Sequence, residues 1–73
     1  MMMTAKDIGT TIRTVRKSQG LRQDELAAAA NVGVRFLIEL EAGKATAQLG
    51  KTLAVLAALG IDVYLTSPDE ASP

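Results

Sequence analysis

Residues 23–42, QDELAAAANVGVRFLIELEA, read as two short helices separated by a tight turn. Leu26, Ala30, Val32, Leu37 and Leu40 recur at spacings that close one small core between them. Ala27 puts a small side chain where the two helices approach. Asn31 stands at the corner, where such a turn needs a left-handed residue. Glycine is the usual choice there and asparagine the next, because its short polar side chain tolerates a positive φ. Two helices crossing at a short turn in a small all-helical domain are the usual way to present a helix to the DNA major groove.

Working outward, the spacing predicts a first helix over 6–18. Thr4 is its N-cap, Asp7 sits in the first turn where the helix dipole favours an acid, and Gly20 closes the far end. Ile8, Ile12, Val15 and Thr11 form its apolar stripe, with Arg13, Arg16 and Lys17 on the other side and near the last turn. Leu21 is a buried connector. The second helix opens at Gln23 and ends at 29 or 30. The third starts at 33 or 34 and stops at Gly43, and a fourth over 49–59 carries Leu49, Leu53, Leu56 and Leu59 as its stripe before Gly60.

The segment 61–66, IDVYLT, alternates with period two and predicts a β-strand, broken by Ser67-Pro68. A lone strand must satisfy its backbone groups somewhere. Antiparallel pairing with the same strand of a second copy, through Ile61, Val63, Tyr64 and Leu65, does so about a two-fold axis. The alternative is an extended tail lying over the fourth helix. The expected organisation is a DNA-binding domain at 4–60, a dimerisation strand at 61–66 and a flexible tail at 67–73. The fold class is all-α: a bundle of four to five short helices, with a C-terminal strand that pairs between subunits.

Composition sets the bounds. Seventy-three residues make one domain, near the size at which a single core is only marginally stable. With one Phe, one Tyr and no Trp among 48% hydrophobic residues, the core is built from Ala, Leu, Ile and Val, and help from a second copy is expected. Absence of cysteine excludes disulfides and thiol chemistry. Absence of histidine removes the commonest metal ligand and general base. The first six residues lack the apolar core of a signal peptide, and no run approaches the ~20 apolar residues that span a membrane. A cytoplasmic, membrane-free protein without metal or cofactor is the expectation.

Net charge is zero, but it is unevenly spread. All eight bases (Lys6, Arg13, Arg16, Lys17, Arg22, Arg35, Lys44, Lys51) precede residue 52, together with Asp7, Asp24, Glu25, Glu39 and Glu41, leaving that part at +3. Asp62, Asp69 and Glu70 follow with no base, at −3. Chance in a short chain is one explanation; an N-terminal part that meets an anion is the other.

Residues 8–60 resemble the five-helix, lambda-repressor-like helix-turn-helix domain of the Xre/Cro family. The resemblance rests on Ile12, Val15 and Arg16, then Gly20-Leu21, Gln23-Glu25-Leu26-Ala27, Leu40-Glu41-Ala42-Gly43-Lys44, and 53–59. The run 33–44, followed by LAALG at 56–60 and a terminal strand, is similar more narrowly to HipB-type antitoxins. The narrower likeness implies a dimeric repressor of a palindromic operator in double-stranded DNA, partnered by a HipA-like kinase toxin and autoregulating its operon.

The resemblance assigns roles to matched positions. Gln23, at the start of the second helix, would clamp a phosphate with the free N–H groups there, as an amide donor at a helix N-terminus can. Gly33, Val34 and Arg35 open the third helix, the end that enters the groove. Arg35 is the best base reader, since its fork fits guanine O6 and N7; a phosphate contact or a pair with Glu39 are the alternatives. Val34 suits a thymine methyl, and Gly33 lets the backbone approach. Glu39 would accept from a cytosine amine or remain an exposed helical acid. Arg13, Arg22, Lys44 and Lys51 are phosphate candidates, each worth about one unit of salt slope. Arg16 either joins them or pairs with Glu41 or Glu25. Glu41 resembles the family's structural Glu.

Two departures stand out. Arg22 replaces the family's capping Thr or Ser, which costs the helix a few tenths of a kcal/mol or so unless a phosphate sits beside it. Phe36 stands where small polar residues are frequent, and core packing suits it best. Nothing points to an enzyme: Ser18 and Lys17 do not face each other on a helix, and no carboxylate pair has a pocket to shift its pKa. The rival from another class is a small protein-interaction module with incidental DNA contact, supported by the zero net charge and by apolar Val34 and Phe36.

Overall fold

The computed structural model describes residues 3–68 and contains four helices: α1 (Ala5–Ser18), α2 (Gln23–Ala30), α3 (Val34–Glu41) and α4 (Leu49–Ala58). Thr4 caps α1 reciprocally with Asp7: Thr4 Oγ1 accepts from the Asp7 N–H at 3.1 Å, and the Thr4 N–H donates to Asp7 Oδ2 at 2.9 Å. Each helix ends on one left-handed residue: Gly20, Asn31, Gly43 and Gly60. Behind each, the next N–H bonds back to a carbonyl five residues earlier: Leu21 to Arg16, Val32 to Ala27, Lys44 to Glu39, Ile61 to Leu56. Leu21, Val32 and Ile61 then pack against the core. At α3 the corresponding residue is Lys44, which is exposed.

Those tight ends fold the helices onto one core. Ile12, Leu26, Leu37 and Val55, one from each helix, are fully buried at its centre. Ala27, Ala30, Leu40, Leu56 and Leu59 complete it. α1 packs on α3, and α2 packs on both α3 and α4. Ala27 is buried, as expected of a small residue at a helix approach. A closer approach occurs at Gly9, buried in the middle of α1, where the carbonyls of Leu40 and Glu41 come against the glycine.

Two expectations need correction. The buried face of α4 is Thr52, Val55, Leu56 and Leu59; Leu49 and Leu53 are 71% and 46% exposed. Residues 52, 55, 56 and 59 share one helical face, whereas 49 and 53 lie further round. Burial of Thr52 is tolerable because its hydroxyl donates to the Gln48 carbonyl at 2.8 Å.

The strand expected at 61–66 is not formed. Residues 61–67 carry no regular secondary structure, and among the described residues there is no other strand to pair with. Alternating side chains cannot make a strand without a ladder partner for the backbone. Ile61 is half-buried and belongs to the end of α4, while Val63, Tyr64 and Leu65 are 51%, 84% and 91% exposed. Of the expected tail, 69–73 lies outside the described residues.

Candidate nucleic-acid interface

Leu37 and Leu40 hold α3 to the core, so the opposite side of that helix faces outward. Gly33 is its extended N-cap, with no side chain bonded to the free N–H groups of the first turn. Gly33, Val34 and Arg35 are all exposed, as are Arg13, Lys44 and Lys51. Ile38, one turn on from Val34, is 47% exposed and joins it in an apolar strip on the outer face. Sequence reasoning passed over Ile38; its place four residues after Val34 was the signal that could have found it.

Five of the candidate residues gather in two shallow clefts on either side of α3, while Gly33, Val34, Arg22 and Lys51 line neither. One is lined by Arg13, Gln23 and Ile38 above the Arg16–Glu41 pair. The other is lined by Arg35, Phe36, Glu39 and Lys44 with the loop that leads to α4. Phe36 is half-buried against the core, and Lys51 lies over its ring, with the ammonium 5.6 Å from the centroid. Lys44 Nζ donates to Glu39 Oε1 at 3.1 Å. Among the described residues no ion pair engages Arg35.

Arg22 is placed differently from the rest. Its guanidinium lies 3.2 Å from Asp24 Oδ1 and 3.8 Å from Glu25 Oε1, and the backbone N–H of Arg22 donates to Glu25 Oε1 at 2.8 Å. Glu25 therefore supplies only the reciprocal half of a capping box, while its own N–H, which a Thr or Ser would have capped, donates to Asp24 Oδ1 at 3.0 Å. The Arg22 charge is answered within the first turn of α2. Any phosphate here would have to compete with Asp24.

Below the first cleft lies a buried ion pair. Arg16 Nε and Nη2 donate to Glu41 Oε2 and Oε1 at 2.7 and 3.0 Å, and Nη1 donates to the Leu21 carbonyl at 2.8 Å. Their side chains are only 9% and 4% exposed. Hydrogen bonding to Glu41 lifts the Arg16 pKa above its ordinary value; burial pulls it down, and the Glu41 charge adds to the rise. Arg16 is thus a structural cation that ties α1 and the loop at Leu21 to the end of α3. Gln23 joins the network, its amide donating to Glu41 Oε1 at 3.2 Å.

A family model described as Helix-turn-helix matches residues 12–65, which span all of α2, α3 and α4. The chain belongs to the helix-turn-helix family of transcriptional regulators. This helix-turn-helix protein is also similar to an uncharacterised HTH-type transcriptional regulator, y4mF, of Sinorhizobium fredii. The two are 57% identical over 67 residues, covering 92% of this chain and 88% of the relative. In the helix-turn-helix protein α2 and α3 are the paired helices, and Asn31 is the left-handed corner between them, at φ 57°. No helix among the described residues is long and apolar enough to cross a membrane.

Proposed function

We propose that this protein is a sequence-specific DNA-binding repressor that docks α3 in the major groove and acts as a homodimer on a palindromic operator. The observation that carries the reading is the exposed start of α3, with Gly33, Val34 and Arg35 at its tip and Arg13, Lys44 and Lys51 around it. Phosphate contacts on either side of a groove fix register, and base edges supply sequence. Arg35, free to extend its fork, is assigned the guanine contact.

An electrophoretic shift against a duplex chosen by in vitro selection from a random pool tests this. Arg35→Ala should weaken binding by about tenfold to a hundredfold and relax the preference at one base pair. A uniform loss across sequences, with one unit less salt slope, would reassign Arg35 to a phosphate. No binding by the wild type at low salt ends the repressor reading. It would favour the second reading, a protein-interaction module, for which the exposed Val34 and Ile38 are the specific support.

Dimerisation is proposed through the apolar residues left outside the core at the C-terminal side: Leu49 and Leu53 of α4 and Val63, Tyr64 and Leu65 after it. One subunit offers few phosphate contacts, and two would engage half-sites about 34–36 Å apart. Sedimentation should show a dimer that the variant V63S/Y64S/L65S converts to a monomer while its helicity stays unchanged. A dimer that survives the triple change would remove residues 63–65 from the interface. The likeness to HipB-type antitoxins in 33–44 and 56–60 supports the further reading of an autoregulating antitoxin with a HipA-like kinase partner. Copurification with a kinase-like protein encoded next to it tests that part.

A further inference from the structure

Lys44 is tied twice to the same residue. As the residue that closes α3, it donates its backbone N–H to the Glu39 carbonyl at 3.1 Å, and its ammonium donates to Glu39 Oε1, also at 3.1 Å. The other three helices put Leu21, Val32 and Ile61 at this closing position, and all three pack inward. Only after α3 does the position carry a cation on the surface, where it sits with Arg35 and Glu39 in one cleft. Gly43, at φ 91°, sets the backbone that returns Lys44 over the last turn of α3.

The two partners are about half exposed, at 42% for Glu39 and 48% for Lys44, so the pair is dispensable for stability. Its consequence lies in charge. Glu39 cancels a cation next to Arg35 on the very surface offered to a polyanion. A carboxylate left there without a partner repels phosphate. It can be satisfied by the exocyclic amine of cytosine, the major-groove donor with which an acid usually pairs.

We propose that Glu39 is a specificity-determining brake on Lys44. On a non-matching duplex the pair stays closed and withholds one phosphate contact. Where a cytosine amine faces Glu39, the carboxylate exchanges partners and Lys44 moves to the backbone. Reading of one base and gain of one phosphate contact are thereby coupled. The proposal rests on the DNA-binding reading of this face.

The test compares wild type, Glu39→Gln, Lys44→Gln and the double variant on a scrambled duplex and on sequences selected from a random pool, over a range of salt. Glu39→Gln should tighten binding to the scrambled duplex by about fivefold, the upper worth of an exposed pair, and steepen its salt slope by about one unit. In the Lys44→Gln background the same change should leave the salt slope unchanged and tighten binding by less, since it then removes only the repulsion of an unpartnered carboxylate. Pools selected by wild type should hold a cytosine at one position that pools selected by Glu39→Gln lose. Equal salt slopes for wild type and Glu39→Gln, a change of slope that persists without Lys44, or pools with no cytosine preference would overturn the brake while leaving the repressor reading intact. Failure of the wild type to bind any duplex at low salt would overturn both.

Discussion

Glu41→Ala should lower the melting temperature by at least about 12 °C, or abolish a cooperative transition altogether. The side chain is 4% exposed and accepts two hydrogen bonds from Arg16 and one from Gln23. Removing it strands a buried guanidinium whose one remaining hydrogen-bond partner among the described residues is the Leu21 carbonyl. Breaking one side of a buried pair costs about 3–5 kcal/mol. A chain of this size has on the order of 4–11 kcal/mol in total, so the loss takes a large share.

The same physics predicts that the pair itself is replaceable. Exchanging both partners for apolar residues of similar volume, as in R16M/E41L, removes the desolvation cost with the attraction. It should recover most of the stability lost in Glu41→Ala. Arg16 has a raised pKa, so its contribution is complete below its unfolded value and fades only as pH climbs through the folded one, in strong alkali. The melting difference between wild type and Glu41→Ala should therefore hold across neutral pH. By contrast Arg22→Ala, which touches only exposed Asp24 and Glu25, should shift melting by little. A Glu41→Ala protein that melts within a few degrees of wild type would show that the Arg16 charge finds water instead.

What could be read in advance was local. The capping of α1 by Thr4 and Asp7, and the left-handed ends at Gly20, Asn31, Gly43 and Gly60, depend on residue types within four or five positions. They appeared where those types stand. The core followed for the same reason in α2 and α3 and, in α1, at Ile8, Ile12 and Val15, whereas Thr11, expected in that stripe, is exposed and Arg16, expected opposite it, is buried. Pairing across distance was less legible. Arg16 is 25 residues from Glu41, and the run Arg13, Arg16, Lys17 reads equally well as a basic surface. In α4, attention to leucines alone missed Thr52 and Val55 and misplaced the buried face. In 61–66 the period of two was real, but a period describes side chains and a strand is made by backbone partners. At the candidate interface the exposed tip of α3 was foreseeable. The partners that Lys44 and Lys51 take from α3 were not, because Glu39 and Phe36 reach them only once the loop to α4 has folded back.

Two helical glycines should respond in opposite directions to the same substitution. In an open helix, Gly→Ala stabilises by about 0.5–1 kcal/mol, because alanine leaves the chain less freedom to lose. Gly50 in α4 meets that condition: an added Cβ has nothing within 4 Å. Gly50→Ala should therefore melt a few degrees above wild type. At Gly9 the added carbon would lie 2.4 Å from the Leu40 oxygen and 2.7 Å from the Glu41 oxygen. Both are backbone atoms in the last turn of α3, so no rotamer change can clear the space. α1 and α3 must separate, which disturbs Ile12, Leu37 and Leu40 and pulls on the Arg16–Glu41 pair. Overpacking of this kind costs about 1–3 kcal/mol or more, enough to outweigh the propensity gain. Gly9→Ala should melt roughly 5–15 °C below wild type. It should also weaken DNA binding beyond what the lost folded fraction explains, since α3 is the element displaced. If Gly9→Ala instead melts at or above wild type, the approach of α1 to α3 is looser than these distances imply. The helix pair that presents Arg35 would then owe its position to α2 and the turn at Asn31.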